Sequence, residues 1–374
     1  MRRHQVILAL AGALFICLTF TACSTALLRS LFPVNLPATG AGKFVYTANS
    51  GSGNSSGYTI NSSSGALTAI PGSPFLAGVP SGPTDVATDP SGKYVYILDS
   101  TGSVYGFAIN ATSGALTAVP GVEFATTGFP EGLAVDPLGK FVFVTNGFDG
   151  IDVFAINATN GALTPAVGSP FPGGGCETNE LAIHPSGSFL FVSDVECSEL
   201  HTFSINSTSG ALTEVTGSPI NSNGESLAAD PLGKFLFQND FNGVLAYLIN
   251  ADGSLTAVAG SPFAAGSNPD GVAVDPSGKF VYVANSGSDN VSAYTISPAS
   301  GALTPVAGSP FAAGSNASAV AADPSGRFLY VTNAISNNIS AYNINTTTGA
   351  LTPVAGSPFP AGTTPIGIAV SPPF

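Results

Sequence analysis

Short apolar runs alternate with turn-forming residues along most of this 374-residue chain. The clearest stretch lies between residues 269 and 311, where Asp-Pro-Ser-Gly, Asn-rich and Gly-rich segments separate four apolar runs. Runs this short, bounded by Gly, Pro, Asn and Asp, are typical of β-strands joined by tight turns. We therefore predict that each such unit forms a four-stranded antiparallel sheet.

The same unit recurs seven times. A residue that follows the Gly of the first turn marks each copy, and successive copies lie 45 to 50 residues apart. These marker residues are Lys43, Lys93, Lys140, Ser188, Lys234, Lys279 and Arg327. Four-stranded sheets repeated with a period in the forties are typical of a β-propeller. The predicted fold is therefore all-β, a seven-bladed β-propeller.

The two ends of the repeat region predict a closed ring. The first copy starts mid-unit near Gly42 and has no first strand, whereas residues 365–374 supply a first strand and turn with nothing after them. The C-terminal strand is therefore predicted to complete the first blade, which would leave no free sheet edge. The propeller is predicted to cover residues 41–374.

The N-terminus has the pattern of an export signal. Arg2 and Arg3 precede an apolar stretch from residue 6 to residue 20, and Thr21-Ala22-Cys23 follows. This resembles a bacterial lipoprotein signal over residues 1–22, in which Cys23 becomes the lipidated first residue of a tether over residues 23–40. An ordinary signal peptide with an incidental Cys is the alternative. The protein is expected in the cell envelope, facing the periplasm or the surface.

Composition and charge narrow the choice of partners. Lys and Arg total 9 against 22 Asp and Glu, so the formal net charge is −13, and −15 after loss of the two signal arginines. Such an acidic chain repels DNA and anionic lipids, so we predict no nucleic-acid binding and membrane attachment through the lipid only. The sequence identifies no particular protein, glycan or small-molecule partner, and a monomer is expected.

Two segments carry a family resemblance. Phe143-Val144-Thr145-Asn146 and Tyr330-Val331-Thr332-Asn333 resemble the YVTN-type propeller repeat of bacterial and archaeal surface proteins. The repeat is also similar to that of the lactonase family, which includes 6-phosphogluconolactonase. The resemblance extends over residues 41 to 374. It implies a seven-bladed fold and the hydrolysis of a lactone ring.

One position deviates from the repeat in a consistent way. Five copies have a carboxylate in the two residues that precede the apolar run of the first strand. These carboxylates are Asp85, Glu131, Glu180, Glu225 and Asp270, and Asn179 adjoins Glu180. In a propeller they would surround the top mouth of the channel, where adjacent negative charges raise pKa values or recruit a divalent cation such as calcium. A solvated acidic rim is the alternative.

The fourth copy differs from the family in its polar residues. Residues 179–187 are similar to a lactonase segment whose Arg and His positions are held here by Asn179 and Glu180. His184 takes the place of a turn Asp, so a role in the turn is expected. His201 lies in a third strand where other copies have Ser, and His201 is expected at the surface. No sequence motif of a Ser-His-Asp hydrolase, metalloprotease or phosphate loop is present.

The fourth copy also contains the two cysteines of the propeller region, Cys176 and Cys197. If residue 183 pairs with residue 188, residue 176 faces residue 195, and a bulge or flexible loop would be needed to bring Cys197 opposite. An exported chain favours oxidation. We predict a disulfide between these cysteines, with two free thiols as the alternative.

Two functions follow from these observations. The main hypothesis is an envelope-anchored propeller that serves as a binding or scaffold module, with its ligand at the top of the channel. The alternative is a lactonase-family hydrolase that acts on an uncharged or cationic lactone and uses the carboxylate ring as a general base or metal site.

Overall fold

A computed structural model describes residues 43–75, 82–241 and 243–373. Every regular element among these residues is a β-strand, and the strands form seven small, mainly four-stranded antiparallel sheets arranged as a propeller. The predicted fold class is therefore confirmed. The predicted signal, the tether and Cys23 lie outside the described residues. No helix in the described ranges has the length and apolar character needed to cross a membrane.

Each blade is ordered from an inner strand to an outer strand. The inner strands are β4 (Pro83–Thr88), β8 (Leu133–Val135), β12 (Thr178–Ile183), β17 (Leu227–Ala229), β21 (Pro269–Val274), β26 (Ala317–Ala322) and β31 (Pro365–Val370). The second strands are β1 (Phe44–Asn49), β5 (Tyr94–Asp99), β9 (Phe141–Thr145), β13 (Phe189–Asp194), β18 (Phe235–Asp240), β22 (Phe280–Asn285) and β27 (Phe328–Asn333).

The outer half of each blade begins with a third strand. These are β2 (Asn54–Ile60), β6 (Ser103–Ile109), β10 (Ile151–Ile156), β14 (Glu199–Ile205), β19 (Gly243–Ile249), β23 (Asn290–Ile296) and β28 (Asn338–Ile344). The outer strands are β3 (Leu67–Ala69), β7 (Leu116–Ala125), β11 (Leu163–Pro165), β15 (Leu212–Glu214), β20 (Leu255–Ala257), β24 (Leu303–Pro305) and β29 (Leu351–Pro353). Short strands β16 (Ile220–Asn221), β25 (Phe311–Ala312) and β30 (Phe359–Pro360) pair with the third strands of blades 4, 6 and 7.

The ring is closed by the C-terminal strand, as the repeat predicts. β31 pairs antiparallel with β1, so the last strand completes the first blade. β31 also contacts the inner strands of blades 7 and 2. The Tyr330 hydroxyl of blade 7 donates to the Gly65 carbonyl of blade 1 at 2.9 Å, in the same way as Tyr96 of blade 2 donates to Gly161 of blade 3. The junction of the two chain ends is therefore built like the other junctions.

The core lies between adjacent blades. The second strands are almost fully buried because each pairs on both edges and packs against a neighbouring blade on each face. The Gly that opens the Gly-Ala-Leu-Thr segment makes this close packing possible. At Gly65, φ is +75° and an added Cβ would lie 2.4 Å from the Phe328 ring, so a larger residue is excluded on both counts.

The bottom turns explain most of the repeated acidic residues. The Asp89 carboxylate accepts a hydrogen bond from the Tyr94 amide at 2.7 Å, and Asp275 does the same for Phe280 at 2.7 Å. His184 replaces the Asp in blade 4 and accepts from the Ser186 amide at 3.1 Å. These residues stabilise turns at the end of the propeller opposite the carboxylate ring.

Candidate functional site

The predicted carboxylates occur where the inner strands are irregular. The pairing of inner and second strands shifts between Pro83 and Asp85 in blade 2 and between Thr178 and Leu181 in blade 4. The same shift occurs in blade 6 between Pro269 and Val272. Such bulges free one or two residues from the regular ladder and redirect their side chains, and they are common beside active sites.

Buried polar side chains of the second strands hold these irregular segments in place. The Ser193 hydroxyl accepts from the Glu180 amide at 3.1 Å. The Asn239 side-chain oxygen accepts from the amides of Glu225 and Ser226 at 2.9 and 2.7 Å. These contacts fix the backbone of two carboxylate-bearing residues. Sequence analysis missed this support, although Ser193 and Asn239 are polar residues inside otherwise apolar second strands.

Four of the five predicted carboxylates line one cavity of about 150 Å³. The remaining lining residues are small or aliphatic. The full lining is Thr84, Asp85, Glu180, Glu225, Ser226, Asp270, Gly271, Val272, Ser318, Ala319, Val320, Ile366, Gly367 and Ile368. No Lys or Arg occurs in this set, because the basic residues of the repeat lie at the bottom turns. The cavity is therefore a strongly negative environment without a positive counter-charge in its wall.

Asp85 is the most firmly held of these carboxylates. One oxygen accepts from the Val86 amide at 2.7 Å, and the other accepts from the Leu133 amide of the next blade at 3.0 Å. Burial raises the pKa of Asp85 to about 6, while these two hydrogen bonds act in the opposite direction. Asp85 is therefore largely ionised at neutral pH but close enough to titration to accept a proton.

Glu180 lies in the same cavity and has a different protonation preference. Burial raises the pKa of Glu180 well above its usual range, and the charges of Asp85, Glu225 and Asp270 raise it further. The Leu181 amide partly offsets these effects. Glu180 therefore holds its proton to a higher pH than an exposed glutamate does. A carboxylate and a carboxylic acid that share one cavity are suited to acid–base catalysis.

The remaining acidic residues surround this pair. Burial and the charge of Asp270 raise the pKa of Glu225, and burial raises the pKa of Asp270, with the Ser318 hydroxyl opposing. Glu131 lies outside the cavity lining and is exposed to solvent. Burial of its carboxylate by the surrounding protein raises the pKa of Glu131, as do the charges of Glu177 and Glu225. Solvent reaches part of this residue while the carboxylate itself is crowded.

Asn179 has a different environment from its neighbour Glu180. Its side-chain oxygen accepts from the Val195 amide at 2.9 Å, in the loop that follows β13. It is not among the residues that line the cavity. In this position Asn179 joins the start of the inner strand to the next loop of its own blade.

The geometry of the cavity carboxylates bears on the expected divalent cation. Among the described residues, no three of these carboxylates bring ligand atoms within 4.8 Å of one another. Calcium needs six to eight oxygen ligands at 2.3–2.6 Å, so this arrangement is not a preformed calcium cage. The cation stays a prediction, and we assign no chemical step to it.

Cys176 and Cys197 form a disulfide with their Cα atoms 6.1 Å apart. The strand register differs from the one considered in the sequence analysis, since Ile183 pairs with Leu190 rather than with residue 188. This two-residue difference brings the segment before β12 opposite the loop that carries Cys197.

The expected surface position of His201 is wrong, because this residue is buried, with 1% exposure.

Comparison with known protein families shows the family of the chain. A family model described as "Lactonase, 7-bladed beta-propeller" matches residues 86–242 and 242–365. These ranges cover most of the propeller. The chain belongs to the lactonase family.

Solved structures similar to this lactonase-family propeller share its fold at low sequence identity. One is a "putative 6-phosphogluconolactonase" from Bacteroides fragilis, with a TM-score of 0.72, 22% identity, and coverage of 88% of this chain and 98% of that one. Another is the periplasmic gluconolactonase of Pseudomonas aeruginosa, with a TM-score of 0.72, 17% identity, and coverage of 88% and 99%. No curated protein matches the sequence.

Proposed function

We propose that this lactonase-family propeller hydrolyses a lactone ring in the cavity lined by Asp85 and Glu180. The observation that carries the proposal is that two buried carboxyl groups, Asp85 and Glu180, line a single cavity, where burial raises the pKa of both. Membership of the lactonase family and the similarity to a gluconolactonase fold support it. This was the alternative hypothesis from the sequence, and it replaces the scaffold as the favoured function.

The two carboxyl groups can divide the reaction between them. The Asp85 carboxylate takes a proton from a water molecule as the water oxygen bonds to the lactone carbonyl carbon, and the carbonyl π electrons move to its oxygen. The bond between the acyl carbon and the ring oxygen then breaks. Glu180 gives its proton to the departing ring oxygen. The product is a hydroxy acid, and proton exchange with water restores both groups.

The charge of the cavity predicts the class of substrate. Phosphate recognition relies on Arg, Lys or helix N-termini, and the described cavity wall has only acidic, small and aliphatic residues. An uncharged lactone can enter, whereas a phosphorylated lactone is repelled. The product carboxylate is repelled in turn, which favours its release.

A substrate pair tests this proposal. We expect the protein to hydrolyse an uncharged sugar δ-lactone with a kcat/KM at least 10-fold higher than for the same lactone bearing a 6-phosphate. The measurement is proton release near pH 7, corrected for spontaneous hydrolysis in buffer. Preference for the phosphorylated lactone would contradict the substrate assignment. Hydrolysis of neither compound, nor of other uncharged lactones, would contradict the proposed function itself.

We also propose that the enzyme works outside the cytoplasm, attached through a lipid on Cys23. The lipoprotein-like segment of residues 1–22 motivates this location, which suits either a hydrolase or a binding module. Labelled palmitate should enter the wild-type protein and be lost in Cys23→Ser, which should be released from the membrane fraction. A full-length wild-type product that remains in the cytoplasm would contradict the proposed location.

A further inference from the structure

A trio of polar side chains closes the top of several blades. In blade 6, the Asn285 amide nitrogen donates to the side-chain oxygens of Asn290 at 2.8 Å and Ser292 at 3.0 Å. Blades 1 and 7 have the same Asn–Asn–Ser trio with the same two hydrogen bonds. In each case an NH₂ group lies between two oxygen acceptors and satisfies both.

Blade 4 has different chemistry at the same positions. Asp194 pairs with Glu199, and His201 pairs with Val192, in the register that Asn285, Asn290 and Ser292 have in blade 6. The amide that donates in the other blades is therefore replaced by a carboxylate, which can only accept when ionised. The Asn–Asn–Ser trio becomes Asp194–Glu199–His201.

Two buried atoms of this trio lack hydrogen-bond partners. They are Asp194 Oδ2 and His201 Nε2, and their residues are 0% and 1% exposed. His201 Nε2 lies 3.4 Å from Glu199 Oε2, and ligand atoms from all three side chains lie within 4.8 Å of one another. A buried polar atom without a partner requires a physical explanation, and the binding of an ion is one such explanation.

The surrounding residues orient the trio. His201 Nδ1 lies 2.8 Å from Glu214 Oε1, which directs Nε2 toward Asp194 and Glu199. Asp194 Oδ1 accepts from the Cys197 amide at 2.9 Å, which leaves Oδ2 free for another ligand. A carboxylate behind the second nitrogen of a histidine is the usual outer support of a metal-binding imidazole.

The loops around the trio enclose it. Gly174 lies over the imidazole so closely that an added Cβ would be 2.6 Å from Nε2. The disulfide between Cys176 and Cys197 ties this Gly segment to the loop after β13, and its sulfur atoms lie within 4.8 Å of a carboxylate oxygen of Asp194. The trio is thus confined by covalently joined loops.

We propose that Asp194, Glu199 and His201 bind one Zn²⁺ ion. Zinc takes imidazole nitrogen and carboxylate oxygen at about 2.0–2.2 Å, so two ligands of a tetrahedral ion lie about 3.4 Å apart. The observed distance between His201 Nε2 and Glu199 Oε2 has this value. Three protein ligands leave a fourth position for water or another ligand. The site is separate from the cavity that contains Asp85 and Glu180.

Direct contact between His201 and the carboxylates, without a metal, is the competing explanation. His201 would then bond to Glu199 and Glu214 alone, and its contribution to stability would not depend on zinc. The two explanations therefore differ in zinc stoichiometry and in the effect of zinc on Tm.

The test is a titration of the chelator-treated full-length protein with ZnCl₂, followed by calorimetry and thermal unfolding. We expect one equivalent of zinc to bind with micromolar or tighter affinity and to raise Tm. The triple variant Asp194→Asn/Glu199→Asn/His201→Ser recreates the trio of blade 6, so it should fold and should bind zinc at least 100-fold more weakly. Glu214→Gln should weaken binding by 10- to 100-fold, because it removes the outer support.

Control variants separate this site from the channel. Asp270→Asn changes the cavity and Glu196→Gln changes an exposed residue of the neighbouring loop, and both should keep the zinc equivalent. If the triple variant fails to fold, His201→Ser alone provides the same comparison. The absence of zinc binding at submillimolar concentration in the wild type, or an equivalent retained by a folded triple variant, would overturn the proposal.

Discussion

Replacing Asp85 with Asn is expected to lower kcat/KM for lactone hydrolysis by about 100- to 10,000-fold, the usual contribution of a general base. This loss corresponds to about 3–5 kcal/mol of transition-state stabilisation at 1.36 kcal/mol for each factor of ten. Asn keeps an oxygen that can accept from the Val86 or the Leu133 amide, but it cannot take a proton from water. Glu180→Gln should also lower activity, because it removes the proton donor for the ring oxygen.

The pH profile distinguishes a chemical role from a structural one. In the wild type, kcat/KM should rise as pH passes about 6, where Asp85 loses its proton, and should fall at higher pH as Glu180 loses its own. These limbs are properties of the interacting pair rather than of isolated groups. Asp85→Asn should abolish the acid limb of the residual activity, and Glu180→Gln should abolish the alkaline limb.

The variants are expected to fold. A carboxyl group with a raised pKa binds more protons in the folded than in the unfolded protein, so its contribution to stability decreases as pH rises from the unfolded pKa through the folded pKa. Glu180→Gln removes the free-energy cost of keeping this carboxyl group in the folded protein at neutral pH, so it should raise Tm relative to wild type.

Glu196→Gln is the control, because it removes the same formal charge at an exposed position, and it should leave activity unchanged. Wild-type kcat/KM and pH profile in both cavity variants would exclude the assigned mechanism.

The fold follows from the sequence because the repeat encodes its own register. Every copy has the same order of turns at similar spacing, so strand number, strand order and blade count can be read without knowledge of long-range contacts. The incomplete copies at the two ends also predict the pairing of β31 with β1. The register across the bottom turn was not predicted, since Ile183 pairs with Leu190 in blade 4, just as Val274 pairs with Val281 in blade 6, and turn length alone does not give this pairing.

The candidate site is only partly encoded in the local pattern. Asp85, Glu180, Glu225 and Asp270 were found because they depart from the repeat at one position. Their separate protonation states depend on burial and on contacts between blades, such as the hydrogen bond from Leu133 to Asp85. His201 was misassigned because its burial arises from Gly174 and Glu214, which lie in a loop and another strand.

Deleting residues 365–374 is expected to unfold or aggregate the propeller, because the ring would lose the inner strand of blade 1. The deletion removes a strand that pairs with β1 and contacts the inner strands of blades 2 and 7. It also removes Ala369 and the partly buried Ile368 and Val370 from two core clusters. Burial of one aliphatic side chain contributes roughly 1.5–3 kcal/mol when complete. The combined loss is comparable with the 5–15 kcal/mol that stabilises a typical domain.

A shorter deletion provides the matched control. Ser371 replaces the turn Asp of other blades, and its hydroxyl accepts from the Phe44 amide at 3.0 Å. Removing only residues 372–374 keeps Ser371 and β31, so Tm should change little. A synthetic peptide of residues 365–373 should restore solubility and Tm to the long deletion, because it can pair with the free edge of β1. Thermal unfolding and light scattering measure both effects. If the long deletion melts like the intact protein, β31 does not close the ring.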